Sequence, residues 1–175
     1  MQDASFLKLK EMVHELEIID SQNVPFRDYV VESCAMNYCG RYGKTWQCPP
    51  GVGSLDELKQ KCLTYKKAVV FTTVHSIEDS FDIEGMDAGR VVHESITDNV
   101  ILLFDTQNIR VLSAEGCNLC ETCTYPTAPC RFPDKARSSV EANGISVVEP
   151  AKDCGINDKN GNNTVTYFSM IFYND

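Results

Sequence analysis

Four cysteines in the second half of the chain have a spacing that suits iron–sulfur chemistry. They follow the pattern Cys117-x2-Cys120-x2-Cys123-x6-Cys130. Three thiols this close in sequence can occupy three corners of a cubane from one tight loop, and Cys130 can supply the fourth ligand. Iron–sulfur clusters prefer soft, anionic thiolates, and the backbone amides of such a loop can hydrogen-bond to the sulfurs. The pattern therefore predicts a [4Fe-4S] cluster held by these four residues.

Zinc is the main alternative for this segment. Four-thiolate zinc sites also use C-x2-C pairs, but usually as two pairs that are separated in sequence. Burial without any metal is a third interpretation, and the polar residues Asn118, Glu121 and Thr122 between the cysteines argue against it. We therefore favour an iron–sulfur cluster over zinc, and either metal over unliganded thiols.

A second group of cysteines, Cys34-x4-Cys39-x8-Cys48, lies among glycines and prolines. Pro49 and Pro50 restrict the backbone after Cys48, which suits the rigid presentation of a thiolate. The composition is that of a second metal loop, although a loop with buried, metal-free cysteines remains an alternative. This group supplies only three thiols.

The fourth ligand of the second group is open between Cys154, Cys62 and no cysteine at all. Cys62 lies in register with Leu55 and Leu58 on the apolar stripe of a predicted helix, so burial alone explains it. Cys154 lies in a polar stretch, and we prefer it as the eighth metal ligand. A ferredoxin-like exchange, in which Cys130 ligates the first cluster and Cys154 the second, is also compatible. Without a fourth thiol, one iron would keep an open coordination position.

Composition limits the classes of partner and compartment. The net charge of −9 disfavours nonspecific attraction to nucleic acid and to anionic lipid. The first residues lack the positive and apolar regions of a signal peptide, and no apolar run approaches about 20 residues. We expect a cytoplasmic protein, in which the nine cysteines stay reduced and serve metal ligation or redox chemistry.

Periodicity and capping signals predict the elements that position these loops. A capping box at Ser54 and Glu57 marks one helix start, and β-branched runs mark the strands. Helices are predicted over residues 5–19, from Ser54 to about Tyr65, over 86–105, and over Asp134–Asn143 with Gly144 ending it. Strands are predicted over Ala68–Val74, Ile109–Leu112, Ile145–Val148 and Thr164–Tyr173. The first two strands and the helix between them predict a βαβ crossover.

These elements predict an α/β or α+β fold with a small central sheet of about four strands, helices packed on it, and cysteine-rich metal loops at one end. The chain of 175 residues is expected to form one domain. The metal loops are predicted over 27–53 and 116–133.

Few other residues suggest chemistry. His14, His75 and His93 are interpreted as surface or packing residues. The basic residues Arg131 and Arg137, with Lys135, can balance an anionic cluster or receive an acidic partner, or can be an exposed helix face.

Four segments together resemble a family of predicted metal-binding proteins classed only as domain of unknown function 2284. The segments are Cys39-Gly40-x-Tyr42-Gly43-x2-Trp46-x-Cys48-Pro49-Pro50, Ser80-Phe81-Asp82-x-Glu84-Gly85-Met86, Gly116 to Pro133, and Asn163-Thr164-Val165-Thr166-Tyr167-Phe168. The resemblance covers most of the chain. It implies metal binding and an association with anaerobic metabolism, and it brings no established reaction.

The expected function is therefore that of an iron–sulfur protein with one or two [4Fe-4S] clusters, used for electron transfer or redox chemistry with a partner protein. One alternative is a cluster enzyme whose open iron, held by Cys34, Cys39 and Cys48, performs Lewis-acid or non-redox sulfur chemistry. Another is a structural zinc module. Whether the protein is an enzyme stays open, and neither nucleic acid nor membrane is expected as a partner.

Overall fold

A four-stranded antiparallel sheet forms the centre of the computed structural model, which describes residues 3–104, 108–149 and 155–174. The strands are β1 (Glu15–Asp20), β2 (Lys67–Ser76), β3 (Ile109–Leu112) and β4 (Thr164–Tyr173). Their order across the sheet is β1-β2-β4-β3. With helices on this sheet, the molecule has the α+β architecture that the sequence predicted.

The two central strands, β2 and β4, pair along their whole length, from Lys67 opposite Tyr173 to Ser76 opposite Thr164. Successive side chains of a strand point to opposite faces of the sheet. On one face Val70 and Met170 join one apolar cluster, and on the other face Phe71 and Ile171 join a second cluster. Both faces are therefore buried, which explains why these strands are apolar at nearly every position.

Helices cover the two faces. They are α1 (Asp3–Met12), α2 (Asp28–Ala35), α3 (Leu55–Leu63) and α4 (Ile83–Ile101). Leu9 of α1 and Val100 of α4 pack into the cluster around Phe71, whereas Cys62 of α3 packs into the cluster around Val70. The predicted capping box is confirmed, because Ser54 accepts from the Glu57 backbone and the Glu57 carboxylate accepts from the Ser54 N–H.

The predicted helix over 5–19 is wrong in its second half. Helix α1 ends at Met12, and Glu15–Asp20 forms the edge strand β1. Leu16 and Ile18 fit the spacing of a strand as well as a helical stripe, and six ladder positions on β2 decide the outcome.

The predicted helix over Asp134–Asn143 is also wrong. Only Glu141–Asn143 is helical, as a single 3-10 turn that Gly144 ends in the left-handed conformation at φ 70°. Upstream, Ser139 bridges to Ser113 in a parallel arrangement, and the Val140 N–H donates to the Ser113 carbonyl. Backbone pairing to the end of β3 has replaced helical hydrogen bonds.

The predicted strand Ile145–Val148 forms no ladder, and Ile145 makes only an isolated antiparallel bridge with Phe26. Ile145 is fully buried in the cluster around Val70, which accounts for its apolar character without a strand. The predicted loop over 27–53 likewise contains a helix, since α2 occupies Asp28–Ala35.

The predicted crossover between β2 and β3 has a different form from the expected one. Both strands run antiparallel to β4, so they run in the same direction with α4 between them in sequence. β4 lies between them in the sheet, so they are not paired.

Over the residues described above, no helix is both long and apolar enough to span a bilayer.

Candidate metal centre

The thiol-bearing residues of the C-terminal segment line one cavity of about 540 Å³. The cysteines on its wall are Cys117, Cys120, Cys123 and Cys130, together with Cys39 from the N-terminal segment. All four C-terminal cysteines are partly buried and Cys39 is exposed. The cavity therefore presents sulfur atoms from several sides while one side remains open to solvent.

Local hydrogen bonds hold the C-terminal segment, which forms turns and bends and no regular element. The Thr124 hydroxyl donates to the Pro129 carbonyl at 2.8 Å, and the Ala128 N–H donates to the Thr124 carbonyl at 3.0 Å. The Arg131 guanidinium donates to the Thr122 carbonyl at 2.8 Å. These bonds close the chain between Cys123 and Cys130 into a compact turn.

The surroundings of Cys123 favour ionisation of its thiol. Its limited burial raises its pKa. Hydrogen bonds from the backbone N–H groups of Tyr125, Trp46 and Thr124, together with the charge of Arg131, lower the pKa by more than burial raises it, so the net shift is downward. Backbone donors aimed at a sulfur stabilise the thiolate that a soft metal requires.

Cys117 lies in the opposite electrostatic condition. Burial raises its pKa, a backbone hydrogen bond from Leu119 lowers it, and the neighbouring thiols of Cys130, Cys120 and Cys123 raise it. Cys117 therefore lies within electrostatic range of the other three thiols. A positively charged metal would reverse this effect.

The N-terminal cysteines come from three local settings. Cys34 lies in the last turn of α2, Cys39 lies in the turn that follows, and Cys48 is buried before Pro49. Burial raises the pKa of Cys34 to about 11, with further increases from Glu141 and then from Cys39 and Cys48. These three thiols therefore also lie close enough to interact.

The two cysteine segments pack directly against each other. The Trp46 indole donates to the Ala128 carbonyl at 3.0 Å and meets the Tyr125 ring edge to face, with centroids 4.9 Å apart. The Arg41 guanidinium donates to the Cys117 carbonyl at 3.3 Å. The two segments that carry the thiols are therefore in direct contact.

Arg41 lies where the two groups meet. The pKa of Cys48 is raised, chiefly by burial and to a smaller extent by the thiols of Cys39 and Cys117. The Thr45 hydroxyl and the positive charge of Arg41 act in the opposite direction. A Cβ on Gly116 would lie 2.8 Å from Arg41 Cδ and 2.9 Å from Cys48 Sγ. The absence of a side chain at 116 is therefore what permits this approach.

The two candidates for the eighth ligand have different outcomes. Cys62 is fully buried in the apolar cluster around Val70, and its charged neighbour is Arg110. Burial is the largest influence on the pKa of Cys62 and raises it. Because it is fully buried, Cys62 is a core residue, as its register on the helix predicted. Cys154 lies outside the described residues, so its role stays a prediction.

The other candidate residues are placed away from the sulfur atoms or at their margin. His93 is fully buried, with its ring nitrogens 2.8 Å from the Thr73 and Ser169 hydroxyls, and it serves packing between α4 and the sheet. Arg131 lines the cysteine cavity, whereas Lys135 and Arg137 line a neighbouring cavity of about 520 Å³.

The sequence interpretation missed two residues of this site. Arg41 lies between the cysteines of the N-terminal segment, where nothing in the sequence distinguishes it from other loop residues. Glu141 was predicted to lie in a helix that does not form. No spacing rule connects either of them with the cysteines, because both contacts depend on the tertiary fold.

The donor groups surround a cavity and do not converge on one point. Among the residues that the structure describes, no three His, Cys, Asp or Glu side chains are arranged to hold a single metal ion. Soft thiolates, backbone donors and an arginine between the groups nevertheless form a donor set that suits a thiolate-bound metal.

Comparison with known proteins adds the family. Neither the curated proteins nor the solved structures gave a match. A family model described as "Predicted metal-binding protein (DUF2284)" matches residues 17–173. This range includes both cysteine segments and all four strands except the first two residues of β1. The chain belongs to the DUF2284 family of predicted metal-binding proteins.

Proposed function

We propose that the protein is an iron–sulfur protein that binds one or two [4Fe-4S] clusters and serves electron transfer or another redox role. The observation that carries this proposal is the single cavity lined by Cys117, Cys120, Cys123 and Cys130. When bound, such a cluster supplies a reversible one-electron centre whose potential depends on hydrogen bonds to sulfur and on solvent exposure.

The shape of the donor set favours a cluster over zinc. A structural zinc ion needs four ligands about 2.3 Å from one point. The described thiols are spread around a cavity of about 540 Å³, and they are not arranged around one point as the ligands of a single ion would be. A polynuclear group, which separates its ligands, fits this arrangement better.

The N-terminal cysteines support a second metal site beside the first. Arg41 lies between Cys48 and the backbone of Cys117, where its charge can offset the negative charge of two thiolate-bound clusters. Two clusters held in contacting segments would allow electrons to pass between them.

The partner we propose is a redox protein in the cytoplasm. The chain has 25 acidic residues against 16 basic ones, so a basic docking surface on the partner would be attracted. The open side of the cysteine cavity, at Leu119 and Phe132, provides a route for electrons to the surface.

A second candidate function is a cluster enzyme with an open iron. The observation in its favour is that the N-terminal segment itself contributes three interacting thiols, those of Cys34, Cys39 and Cys48. An iron with a free position can act as a Lewis acid. Binding of a small exogenous ligand to that iron would support this candidate.

Anaerobic purification with iron, sulfide and zinc quantification tests the proposal. We expect about four or about eight irons per chain with matching sulfide, and visible absorbance that bleaches on reduction. The Cys123→Ser variant should lose iron, whereas Cys62→Ala, which changes a core cysteine, should retain it. Stoichiometric zinc, or no iron and no reducible absorbance, would contradict the proposal.

A further inference from the structure

The loop before α4 presents two large apolar side chains to solvent. Phe81 is 84% exposed and Ile83 is 66% exposed. They lie in the segment Ser80 to Met86, one of the four that carry the family resemblance, and none of its residues lines the cysteine cavity. Single apolar residues are common on protein surfaces, whereas a contiguous group marks an interaction site.

The solvent face of α4 continues this apolar surface. Ala88, Val91 and Val92 lie at helical spacing on one exposed face, with the valines 59% and 49% exposed. Valine has a lower helix propensity than alanine, glutamate or lysine, and on this face it adds little buried area to the fold. Together with Phe81 and Ile83, these three residues form a surface that we name the α4 patch.

Hydrogen bonds hold the loop in one conformation. The Asp79 carboxylate accepts from the Phe81 N–H at 2.7 Å, and the Asp82 carboxylate accepts from the Glu78 N–H at 2.9 Å. The Asn163 side chain donates to the Glu78 carbonyl at 2.8 Å, which ties the loop to the residue before β4. A surface that is ordered before binding loses little conformational entropy when a partner binds.

Acidic residues surround the α4 patch. Residues 78–87 contain no basic residue and five acidic ones, which are Glu78, Asp79, Asp82, Glu84 and Asp87. Asp82 caps α4 and Asp87 lies 3.4 Å from Arg90. Glu78 and Glu84 are exposed, and neither forms an ion pair with any residue that the structure describes. The patch therefore favours a partner whose apolar contact surface is rimmed by lysine or arginine.

The α4 patch extends to the C-terminal cysteine segment. Val91 and Leu119 line the cavity of about 520 Å³, and Cys117 lies on the wall of the same cavity. Arg90 Nε lies 3.2 Å from Glu115 Oε2, which joins α4 to the chain two residues before Cys117. Leu119 is 46% exposed and also lines the cysteine cavity. A protein bound to the patch would therefore lie beside the four C-terminal cysteines.

We propose that the α4 patch is the docking surface for the electron-transfer partner, a protein with an apolar contact surface and a basic rim. The inference rests on the proposed iron–sulfur function and names the surface through which it acts. A second copy of this chain fits less well, because a symmetric dimer would place the same carboxylates opposite one another.

Electron transfer to cytochrome c tests the patch, because this small redox protein exposes its haem edge within a lysine-rich face. The iron-loaded protein is reduced anaerobically and mixed with ferric cytochrome c, so that one electron passes from the reduced cluster to the haem iron, which becomes ferrous. We expect Phe81→Ser to lower the second-order rate constant at least about tenfold, as for a central contact residue. Leu7→Ser, which removes a side chain 63% exposed on α1, should change it less than about twofold.

A charge-reversal pair tests the basic rim of the partner. Glu84→Lys and Glu11→Lys change the net charge equally, and both residues are exposed. We expect Glu84→Lys to lower the rate constant and its dependence on salt much more than Glu11→Lys does. Equal effects of the two substitutions would show that only the net charge matters, and would overturn the docking surface.

Hydrogen exchange locates the contact and needs no iron. Cytochrome c should slow exchange over residues 78–92 and 117–121, and it should not do so in Phe81→Ser. Protection elsewhere or none, or equal rate constants for Phe81→Ser and Leu7→Ser, overturns the docking surface while leaving the iron–sulfur function intact. Protection at the patch in a protein without iron overturns the iron–sulfur function alone. A dimer seen by sedimentation and lost in Phe81→Ser would assign the patch to a second copy and overturn the proposed partner.

Discussion

At the scale of single residues, His93 shows how this fold treats a buried polar group. It is 0% exposed, and both ring nitrogens have hydroxyl partners, Thr73 and Ser169, at 2.8 Å. Burial, the largest influence, and the nearby His75 lower its pKa from 6.5 to about 4, against a smaller opposing effect of the Phe168 backbone. The hydrogen bonds satisfy a neutral imidazole, and a charged one would be unfavourable.

The stability of the protein should therefore fall as the solution is acidified. The unfolded chain protonates His93 below pH 6.5 and the folded chain does so only near pH 4. Between these values the unfolded state binds more protons, so the free energy of unfolding decreases, by about 3 kcal/mol in total. Denaturant unfolding at a series of pH values measures this slope.

The His93→Gln variant should show a shallower slope over the same pH range, because it removes the titrating group. Gln60→Ala, an exposed change on α3 that removes no titrating group, provides the control with an unchanged slope. A His93→Gln slope equal to that of the unmodified protein would show that other groups cause the acid sensitivity.

At the scale of elements, α3 depends on its first turn. Ser54 and Glu57 satisfy two backbone donors reciprocally, and the helix then presents Leu58 and Cys62 to the core. Such a cap contributes about 1 kcal/mol. Since α3 begins directly after the N-terminal cysteine segment, its start also fixes the end of that segment.

Replacing Ser54 by Ala should lower the free energy of unfolding by about 1 kcal/mol, because a helix donor loses its acceptor. Chemical denaturation of the purified protein provides the measurement. Gln60→Ala, an exposed change on the same helix, should leave stability within about 0.5 kcal/mol. An equal effect of the two substitutions would contradict the capping argument.

Elements with strong local signals could be predicted from the sequence. The ends of β3 and β4 were predicted correctly, and β2 extends only slightly beyond its predicted range. Their apolar, β-branched and aromatic residues leave little choice of structure. Ser54 and Glu57 likewise specify the start of α3 by a local mechanism.

Elements that depend on distant partners could not be predicted. Leu16 and Ile18 lie in a strand because their segment pairs with the edge of β2. Ser139 is not helical because its backbone pairs with that of Ser113. Neither partner is near in sequence. The electrostatic influence of Glu141 on Cys34 could not be predicted for the same reason, because the two residues are separated by more than half of the chain.

The candidate site shows the same division. Spacing alone grouped Cys117, Cys120, Cys123 and Cys130, and the cavity that they line was then found in the fold. The contact between the two segments, through Arg41 and Trp46, required the tertiary structure.

At the scale of the whole molecule, one small residue lets the two cysteine segments meet. Gly116 leaves room for Arg41 Cδ and Cys48 Sγ, which would lie 2.8 and 2.9 Å from an added Cβ. These distances are shorter than van der Waals contact. The arginine side chain can move aside, but Cys48 is held by the buried backbone before Pro49.

On the proposed iron–sulfur function, we expect Gly116→Ala to reduce the iron content and to alter the spectrum of the N-terminal site, by displacing Cys48. Iron analysis and electron paramagnetic resonance of the reduced protein measure both effects. Asn118→Ala, an exposed change in the same segment, should keep full iron. Full iron with an unchanged spectrum in Gly116→Ala would show that the contact has no functional consequence.

Metal removal should affect the molecule unevenly. The sheet has apolar clusters on both faces, whereas residues 36–53 and 114–137 form turns without ladders or helices. Bound metal would supply order that these segments lack on their own. We expect hydrogen exchange to increase strongly in both segments of the metal-free protein and little in β2 and β4, and a uniform increase would contradict this view.

The position of β4 sets the order in which the protein can be completed in the cell. β4 comes last among the strands along the chain, yet it lies between β2 and β3. Both cysteine segments therefore leave the ribosome before the strand that joins the two sides of the sheet. The nascent chain presents its thiols to oxidants and to metal donors while its core is still open. The sheet between the two segments is complete only after Tyr173 has been synthesised, and on the proposed function we expect stable metal binding only from that point on.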